Sequence, residues 1–546
     1  MNSKLRVLIV GGVAAGMSAA TRLRRLREDA EIVVFEVGEH VSYANCGLPY
    51  FVSDVISARE SLLLQTPESL WRRFRIDVRV NTRVTSIDRD AGSVTAYNNI
   101  TGTTETETYD YLVLATGAKP RSLEIPGGER ALSLRDVADA DRLKAATTGA
   151  NHAVVAGAGF VGVEVAENLR HLGLEVTLVQ RGGQILSGFD PEMIEPMQAR
   201  LSEQGVKIVL GTELTSIEAN AVTLGDGRVL AADLVIAAAG VVPDNSLARE
   251  AGLKIGATGG LWVDEQQRTS DQRILAAGDA VEKNGELTGN QTLVPLANLA
   301  NRHGRLMADV IAGIDTKAHP ALGTAIIGAF GMVAAVTGLT ENAARRAGIA
   351  AAVMHVHPGS HAGYYPGAKR VSLKVVFDPE SGRLLGAQGV GEDGVDKRID
   401  VLATAIRAGF TVDDLMDLEL AYAPQFGSAK DPINHLGYVG NNIVSGVTPT
   451  IQWHDLDAAM AAGAQLIDVR TESEYAAGAI PGSRLIPVDE LRNHLDELDG
   501  DLIVHCAVGQ RGHTATQILR AAGKSVRNLD GGYTTWKAGK DALARR

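Results

Sequence analysis

Two cysteines carry the first claim to chemistry in this 546-residue chain: Cys46 in SYANCGLPYF, residues 42–51, and Cys506 in LIVHCAVGQRGHTA. Disulfide chemistry needs two sulfurs, yet these two are far apart in the chain and do not form a disulfide framework. Cys506 ends an apolar run ahead of a glycine-containing loop and a helix. Such a turn aims backbone N–H groups at the sulfur and makes an anion cradle. Arg511 closes it as a C-x4-R loop. Near the start of the chain, Ser18, Arg22 and Arg25 recur at i, i+4 and i+7 and share one helix face. Arginines there can hold phosphates; a solvated basic face, with Arg24 and Arg27 beside it, is the competing reading.

These residues need elements to position them, and the chain repeats one such element. RVLIVGGVAAGMSAATRLRRL near the start is echoed by HAVVAGAGFVGVEVAENLRHLG at 152–173, each a strand, a glycine turn and a helix. In the first turn Gly11, Gly12 and Gly16 allow close approach to a pyrophosphate at a helix N-terminus, although Val13 replaces the middle glycine of G-x-G-x-x-G. Glu36 ends the following strand, where an acid accepts hydrogen bonds from ribose hydroxyls. Gly157, Gly159 and Gly162 complete a full G-x-G-x-x-G. Its strand-end residue is Gln180, followed by Arg181, which leaves NADH versus NADPH open. Two dinucleotide-binding βαβ modules are the economical explanation.

Composition bounds the rest. The 45% hydrophobic content is ordinary for a globular chain, the 60 glycines fit many tight turns, and the net charge of −12 argues against a nucleic-acid binder. Sparse cysteine fits a reducing compartment. The N-terminal stretch mimics a signal peptide but reads better as a buried strand entering a glycine turn. The uncharged stretch from Ala318 to Thr340 is broken by glycines and reads as strands rather than as a membrane span. A cytoplasmic protein that binds no nucleic acid and no membrane is expected. Residues 326–446 mix strands such as RVSLKVVFD with a helical DKRIDVLATAIRAG, and 447–451 read as a linker. Beyond it AQLIDVR, RLIPV and LIVHC are strand candidates of a separate small α/β domain.

The run VLIVGGVAAGMSAA, the segment LATGAKP with Thr116 and Gly117, and ILAAGDAVE with Gly278 and Asp279 together resemble the two-dinucleotide flavoprotein disulfide reductases. The resemblance implies FAD in the first module, NAD(P)H in the second, and Asp279 on the ribityl chain of FAD. Where most of those proteins carry C-x4-C, the second position here is Phe51. SYANCGLP thus resembles the single-cysteine branch, which holds coenzyme A disulfide reductases, persulfide reductases and NADH oxidases or peroxidases. By that resemblance the partner sulfur of Cys46 arrives with the substrate. A cysteine at a helix start beside a flavin is expected to gain thiolate character. The branch also implies that Ser18, Arg22, Arg25, Ser42 and Asn45 line a coenzyme A channel. HAGYYPGAK and LAYAPQFGSAKD match it too, which implies that Tyr422 and one of Tyr364 or Tyr365 reach the partner subunit's redox centre in a homodimer. The C-x4-R loop, LIDVRTESEYAAGAIPGS and LDGGYTTWK resemble rhodanese domains, with Ala479 where a His is frequent.

The expected fold is therefore α/β. It comprises two Rossmann-like modules (FAD-binding 1–120 and 247–325, NAD(P)H-binding 121–246), an α+β dimerisation domain at 326–446, and a rhodanese-like α/β domain at 452–546. The expected activity is NAD(P)H-dependent reduction of coenzyme A persulfide, polysulfide or disulfide through a Cys46 mixed disulfide, with hydrosulfide released and Cys506 handling sulfane sulfur. The cofactors are FAD, NADH or NADPH, and coenzyme A, whether in passing or tightly held. No metal is expected. An NAD(P)H peroxidase or oxidase with a Cys46 sulfenic acid, and a sulfur-binding redox sensor, are the alternatives.

Overall fold

Hydrophobic runs without alternation, such as RVLIV and EIVVF, belong in sheets covered on both faces, and they occupy such a sheet in this computed structural model, which describes residues 4–545. The described residues fall into two compact units: those up to Val179 with Thr212–Gly323, and Gln180–Gly211 with those from Thr324 onward.

In the first unit the strands Ile274–Ala276, Tyr111–Leu114, Arg6–Val10, Glu31–Phe35 and Asp77–Arg79 form a parallel sheet in that order. The helix Ala14–Leu26 follows the first strand and packs on the helix Ala297–Ile311. Their approach is close because Gly304 has no side chain: a Cβ there would strike the Ala15 carbonyl. A second parallel layer places His152–Ala156 between Glu175–Gln180 and Leu234–Ala237, with the helix Phe160–His171 after its glycine turn. The unit also holds two antiparallel three-stranded sheets (82–108 and 214–231).

The second unit holds an antiparallel sheet in the order Ala325–Ala329, Met332–Gly338, Leu384–Gly391, Val371–Phe377, Ala352–Val356. The uncharged stretch from 318 to 340 thus supplies its first two strands, and no helix among the described residues is long and apolar enough to cross a membrane. The C-terminal sheet is parallel, in the order Thr450–Ile451, Ser525–Leu529, Asp501–His505, Gln465–Asp468, Arg484–Leu485. The span read as a linker therefore ends in an edge strand.

The helix Pro191–Glu203 belongs to this second unit, and buried charge explains its place. His355, Lys374 and Gln388 stand opposite one another on three adjacent strands. Lys374, fully buried, places its Nζ 3.0 Å from Asp190, 2.5 Å from Glu192 and 2.7 Å from Glu341. Gln388 donates to Asp190 at 2.6 Å and accepts from its backbone N–H at 2.7 Å. Burial alone would neutralise Lys374, but Glu192, Asp190 and Glu341 outweigh it and hold the ammonium charged. Removing one partner of such a group leaves uncompensated buried charge. Lys374→Met is therefore expected to destabilise the protein by about 3–5 kcal/mol, seen as a lowered thermal midpoint; an unchanged midpoint would contradict this assignment.

Candidate active site

The two glycine turns are built alike. Gly11 and Gly157 adopt φ of +104° and +109°, and a Cβ on either would strike the carbonyl of Ala115 or Ala238, just past the end of the neighbouring strand. A Cβ on Gly16 or Gly162 would likewise strike the carbonyl of Gly11 or Gly157. A Cβ on Gly159 meets nothing, which explains how the first turn accommodates Val13 at the matching position. Glu36 is buried at its strand end and accepts from the backbone N–H of Gly12 at 2.7 Å and of Gly38 at 2.9 Å. Burial raises its pKa despite those donors.

The same turn carries the cysteine segment. The N–H of Ser42 donates to the Gly12 carbonyl at 2.8 Å, with Ser42 itself at φ +51°. Cys46 follows in a short 3₁₀ turn, Asn45–Gly47, ahead of the helix Leu48–Val52. Its thiol is exposed and lies 3.9 Å from the Asn45 side-chain oxygen. The protein groups around Cys46 raise its pKa, first by burial of the sulfur side and then through the carboxylates of Glu164 and Asp279. Glu164 lies on the helix Phe160–His171, and burial with Glu167 pushes it up to about 7. The sequence reading passed over Glu164, although it sits only two residues beyond Gly162.

Around the late Gly-Asp pair, Gly278 offers its carbonyl to Lys283 Nζ at 2.9 Å, and Asp279 lies 3.9 Å from Arg135. A Cβ on Gly117 would meet that same arginine. Thr116 donates to the Asp244 carbonyl at 2.7 Å. Burial lowers Lys283 to about 8, and burial, Lys283 and Arg302 lower His303 to about 4. Both ring nitrogens of buried His303 lack a protein partner. The buried Glu36 carboxylate, the tight glycine turn and the orphaned His303 fit a polar dinucleotide. Gln180 ends its strand and Arg181 follows it.

Ser18, Arg22 and Arg25 do share the helix Ala14–Leu26, but each already has a partner: Ser18 bonds Asn301 at 2.6 Å, Arg22 pairs with Asp309 at 2.6 Å, and the Arg25 guanidinium stacks 5.1 Å from the Phe74 ring centre. Asn301 and Asp309 lie nearly 300 residues away in sequence, beyond the reach of spacing arguments. In the second unit the Tyr364 and Tyr422 hydroxyls are 2.8 Å apart, on exposed side chains, whereas Tyr365 packs edge-on against His361. The hydrogen bond from Tyr364 raises the pKa of Tyr422.

Cys506 is buried at the end of the strand Asp501–His505, and its loop leads through Gly509 (φ +92°) into the helix Gln510–Ala521. Arg511 faces the thiol and also grips Glu474 through a two-pronged pair at 2.6 and 2.7 Å. That hydrogen-bonded arginine holds the Glu474 carboxyl down to about 2. Glu474 was also missed, although TESE marks it as the third residue of a helix capped by Thr471.

Because Glu164 is charged above about pH 7 and opposes a thiolate at Cys46, its removal must ease Cys46 ionisation. In a Cys506→Ser background, Glu164→Gln is expected to move the midpoint of Cys46 alkylation by iodoacetamide to lower pH. An unmoved midpoint would contradict this charge assignment.

Residues 5–304 match the family of pyridine nucleotide-disulphide oxidoreductases, 326–431 match the dimerisation domain of that family, and 452–539 match the rhodanese-like domain. A coenzyme A disulfide reductase of Staphylococcus epidermidis is 33% identical over 438 residues, spanning 79% of this chain and 99% of the relative. The crystal structure of reduced CoADR-RHD from Bacillus anthracis superposes with a TM-score of 0.97 at 44% identity, covering 100% of this chain and 99% of that one. A NAD-dependent persulfide reductase from A. fulgidus gives a TM-score of 0.91 at 37% identity, covering 97% and 100%. The paired glycine turns, the single exposed thiol and the C-terminal Cys506 loop thus sit in a chain that belongs to the flavin-dependent pyridine nucleotide-disulphide oxidoreductases and carries a rhodanese-like domain.

Proposed function

We propose that this enzyme uses NAD(P)H to reduce coenzyme A persulfide, polysulfide and coenzyme A disulfide through a mixed disulfide on Cys46, while Cys506 carries sulfane sulfur. The observation that supports this most is the isolation of Cys46. It is a free, exposed thiol, the position where a resolving cysteine would stand is Phe51, and the other cysteine belongs to the other compact unit. A protein disulfide has no second half at this site. The relatives named for coenzyme A disulfide and persulfide reduction support a small-molecule sulfur as that half.

In this reading Gly11, Gly12, Gly16, Glu36, Thr116, Gly117, Gly278 and Asp279 hold FAD, and Gly157, Gly159, Gly162, Gln180 and Arg181 hold the nicotinamide dinucleotide. Bound FAD supplies the route by which two electrons leave NAD(P)H. The Cys46 thiolate attacks the inner sulfur of coenzyme A persulfide, a sulfur–sulfur bond to Cys46 forms, and hydrosulfide leaves. Two electrons and a proton then return Cys46 to the thiolate and coenzyme A to the thiol. One NAD(P)H is thereby consumed for each hydrosulfide and coenzyme A produced, its hydride supplying both the electrons and the proton. Ser18, Arg22, Arg25, Ser42 and Asn45 serve the coenzyme A portion, with Asp309 offsetting part of the Arg22 charge. In a homodimer the hydrogen-bonded pair Tyr364 and Tyr422, rather than Tyr365, is the phenolic group offered to a departing thiolate.

The test is anaerobic hydrosulfide production from coenzyme A persulfide, with NADH and NADPH supplied separately. Wild type is expected to produce hydrosulfide, Cys46→Ser to fall to background, and Cys506→Ser to retain the activity on this substrate. A wild type that makes none, yet oxidises NAD(P)H with peroxide or oxygen, would replace this reading with a sulfenic acid centre at Cys46.

A further inference from the structure

The Cys506 loop is shaped by a turn that faces two ways. Its partner is the double glycine Gly531–Gly532, between the strand Ser525–Leu529 and the helix Gly532–Ala544. On one side, the N–H of Tyr533 donates to the Cys506 carbonyl at 2.8 Å and that of Thr534 to the Ala507 carbonyl at 3.0 Å. A Cβ on Gly532 would press on Cys506, Ala507 and Gly509 backbone atoms. On the other side, a Cβ on Gly531 would strike Thr535 Oγ1 at 2.0 Å and meet the His355 side chain at 2.8 Å. No room exists on either face of the turn, so whatever fixes it against His355 also fixes the sulfur loop.

That fixation is ionic and buried. Asp530, immediately before the turn, accepts from the backbone N–H of His355 at 3.2 Å and pairs with its Nδ1 at 2.6 Å. The opposite ring nitrogen lies 3.3 Å from Glu192. A second strut runs parallel to the first: His357 bridges Ser372 and Thr535, each at 2.8 Å. We propose that His355 and Asp530 are positioning residues for sulfur transfer at Cys506: the ion pair clamps the Gly531–Gly532 turn to the sheet 325–391 and thereby holds the Cys506–Arg511 loop in its reactive shape. This inference rests on Cys506 being the sulfur carrier. It makes the 325–391 sheet a working part of the C-terminal sulfur site, in addition to its place in the reductase.

The clamp depends on charge. Facing His355 are Asp530, Glu192 from the helix Pro191–Glu203, Lys374 on the neighbouring strand and His357 two residues on, with Asp190 and Glu341 around Lys374. Burial and Lys374 oppose protonation, but Asp530 and Glu192 prevail and push His355 up to about 9. Its folded pKa lies above the ordinary 6.5, so the clamp is fully present below about pH 6.5 and is lost as pH rises through about 9.

The test uses the full chain in a Cys46→Ser background, with thiosulfate as sulfur donor. Persulfide loading of Cys506 is followed by intact mass, and amide hydrogen exchange of segment 506–511 is followed alongside. Asp530→Asn and His355→Gln are each expected to slow loading about tenfold, as the loss of a charged hydrogen bond would, and to speed exchange in the loop. The double variant should be no slower than the slower single. Loading at the wild-type rate with unchanged exchange in either single overturns the proposal. Should Cys506 load no sulfur from thiosulfate or from coenzyme A persulfide, the carrier reading falls, and the exchange measurement still decides the clamp. If the variants do not fold, wild type decides it: exchange of 506–511, corrected for intrinsic base catalysis, must rise above about pH 9. A flat profile overturns the clamp.

Discussion

The helix Ala14–Leu26 can start where it does only because Gly16 has no side chain to meet the Gly11 carbonyl. Much of the first unit follows from that contact. It brings the helix start against the sheet, and it leaves the Gly12 N–H free to bind Glu36 and the Gly12 carbonyl free to take Ser42. The second bond hangs the Cys46 segment from the dinucleotide turn itself. A single backbone turn therefore sets both where a dinucleotide would lie and where the reactive sulfur lies. The repeat at Gly157 and Gly162 rebuilds the same geometry by the same exclusion of a Cβ.

The two sulfurs occupy opposite environments. Cys46 is exposed and has carboxylates for neighbours, so the protein alone does not favour its thiolate. Cys506 is buried, faces an arginine, and precedes a helix N-terminus. Glu474 holds Arg511 in a two-pronged pair that fixes the orientation of its guanidinium.

Local patterns were legible in the sequence because their chemistry is local. Glycine turns, the strand-ending Glu36, the C-x4-R loop and the shared face of Ser18, Arg22 and Arg25 each lie within one element or between neighbours. What stayed hidden depends on contacts between distant segments: Asn301 with Ser18, Asp309 with Arg22, and Asp530 with His355. The raised pKa of Cys46 was hidden for the same reason, because Glu164 comes from a helix more than a hundred residues later. The edge strand Thr450–Ile451 was hidden by its two-residue length, and Ser525–Leu529 by its polar alternation, SVRNL. The placement of Pro191–Glu203 beside the 325–391 sheet turns on Lys374 and its partners Asp190 and Glu192, which stand more than 180 residues earlier in the chain.

Peptide mass spectrometry of Cys46 tests the central claim most directly. Incubated anaerobically with coenzyme A disulfide and no nicotinamide dinucleotide, the reduced enzyme is expected to carry coenzyme A in mixed disulfide on Cys46, and to lose it when NADH or NADPH is added. A Cys46 that stays unmodified by coenzyme A, and is found only as a sulfenic or sulfinic acid after peroxide, would contradict the account that its partner sulfur comes with the substrate.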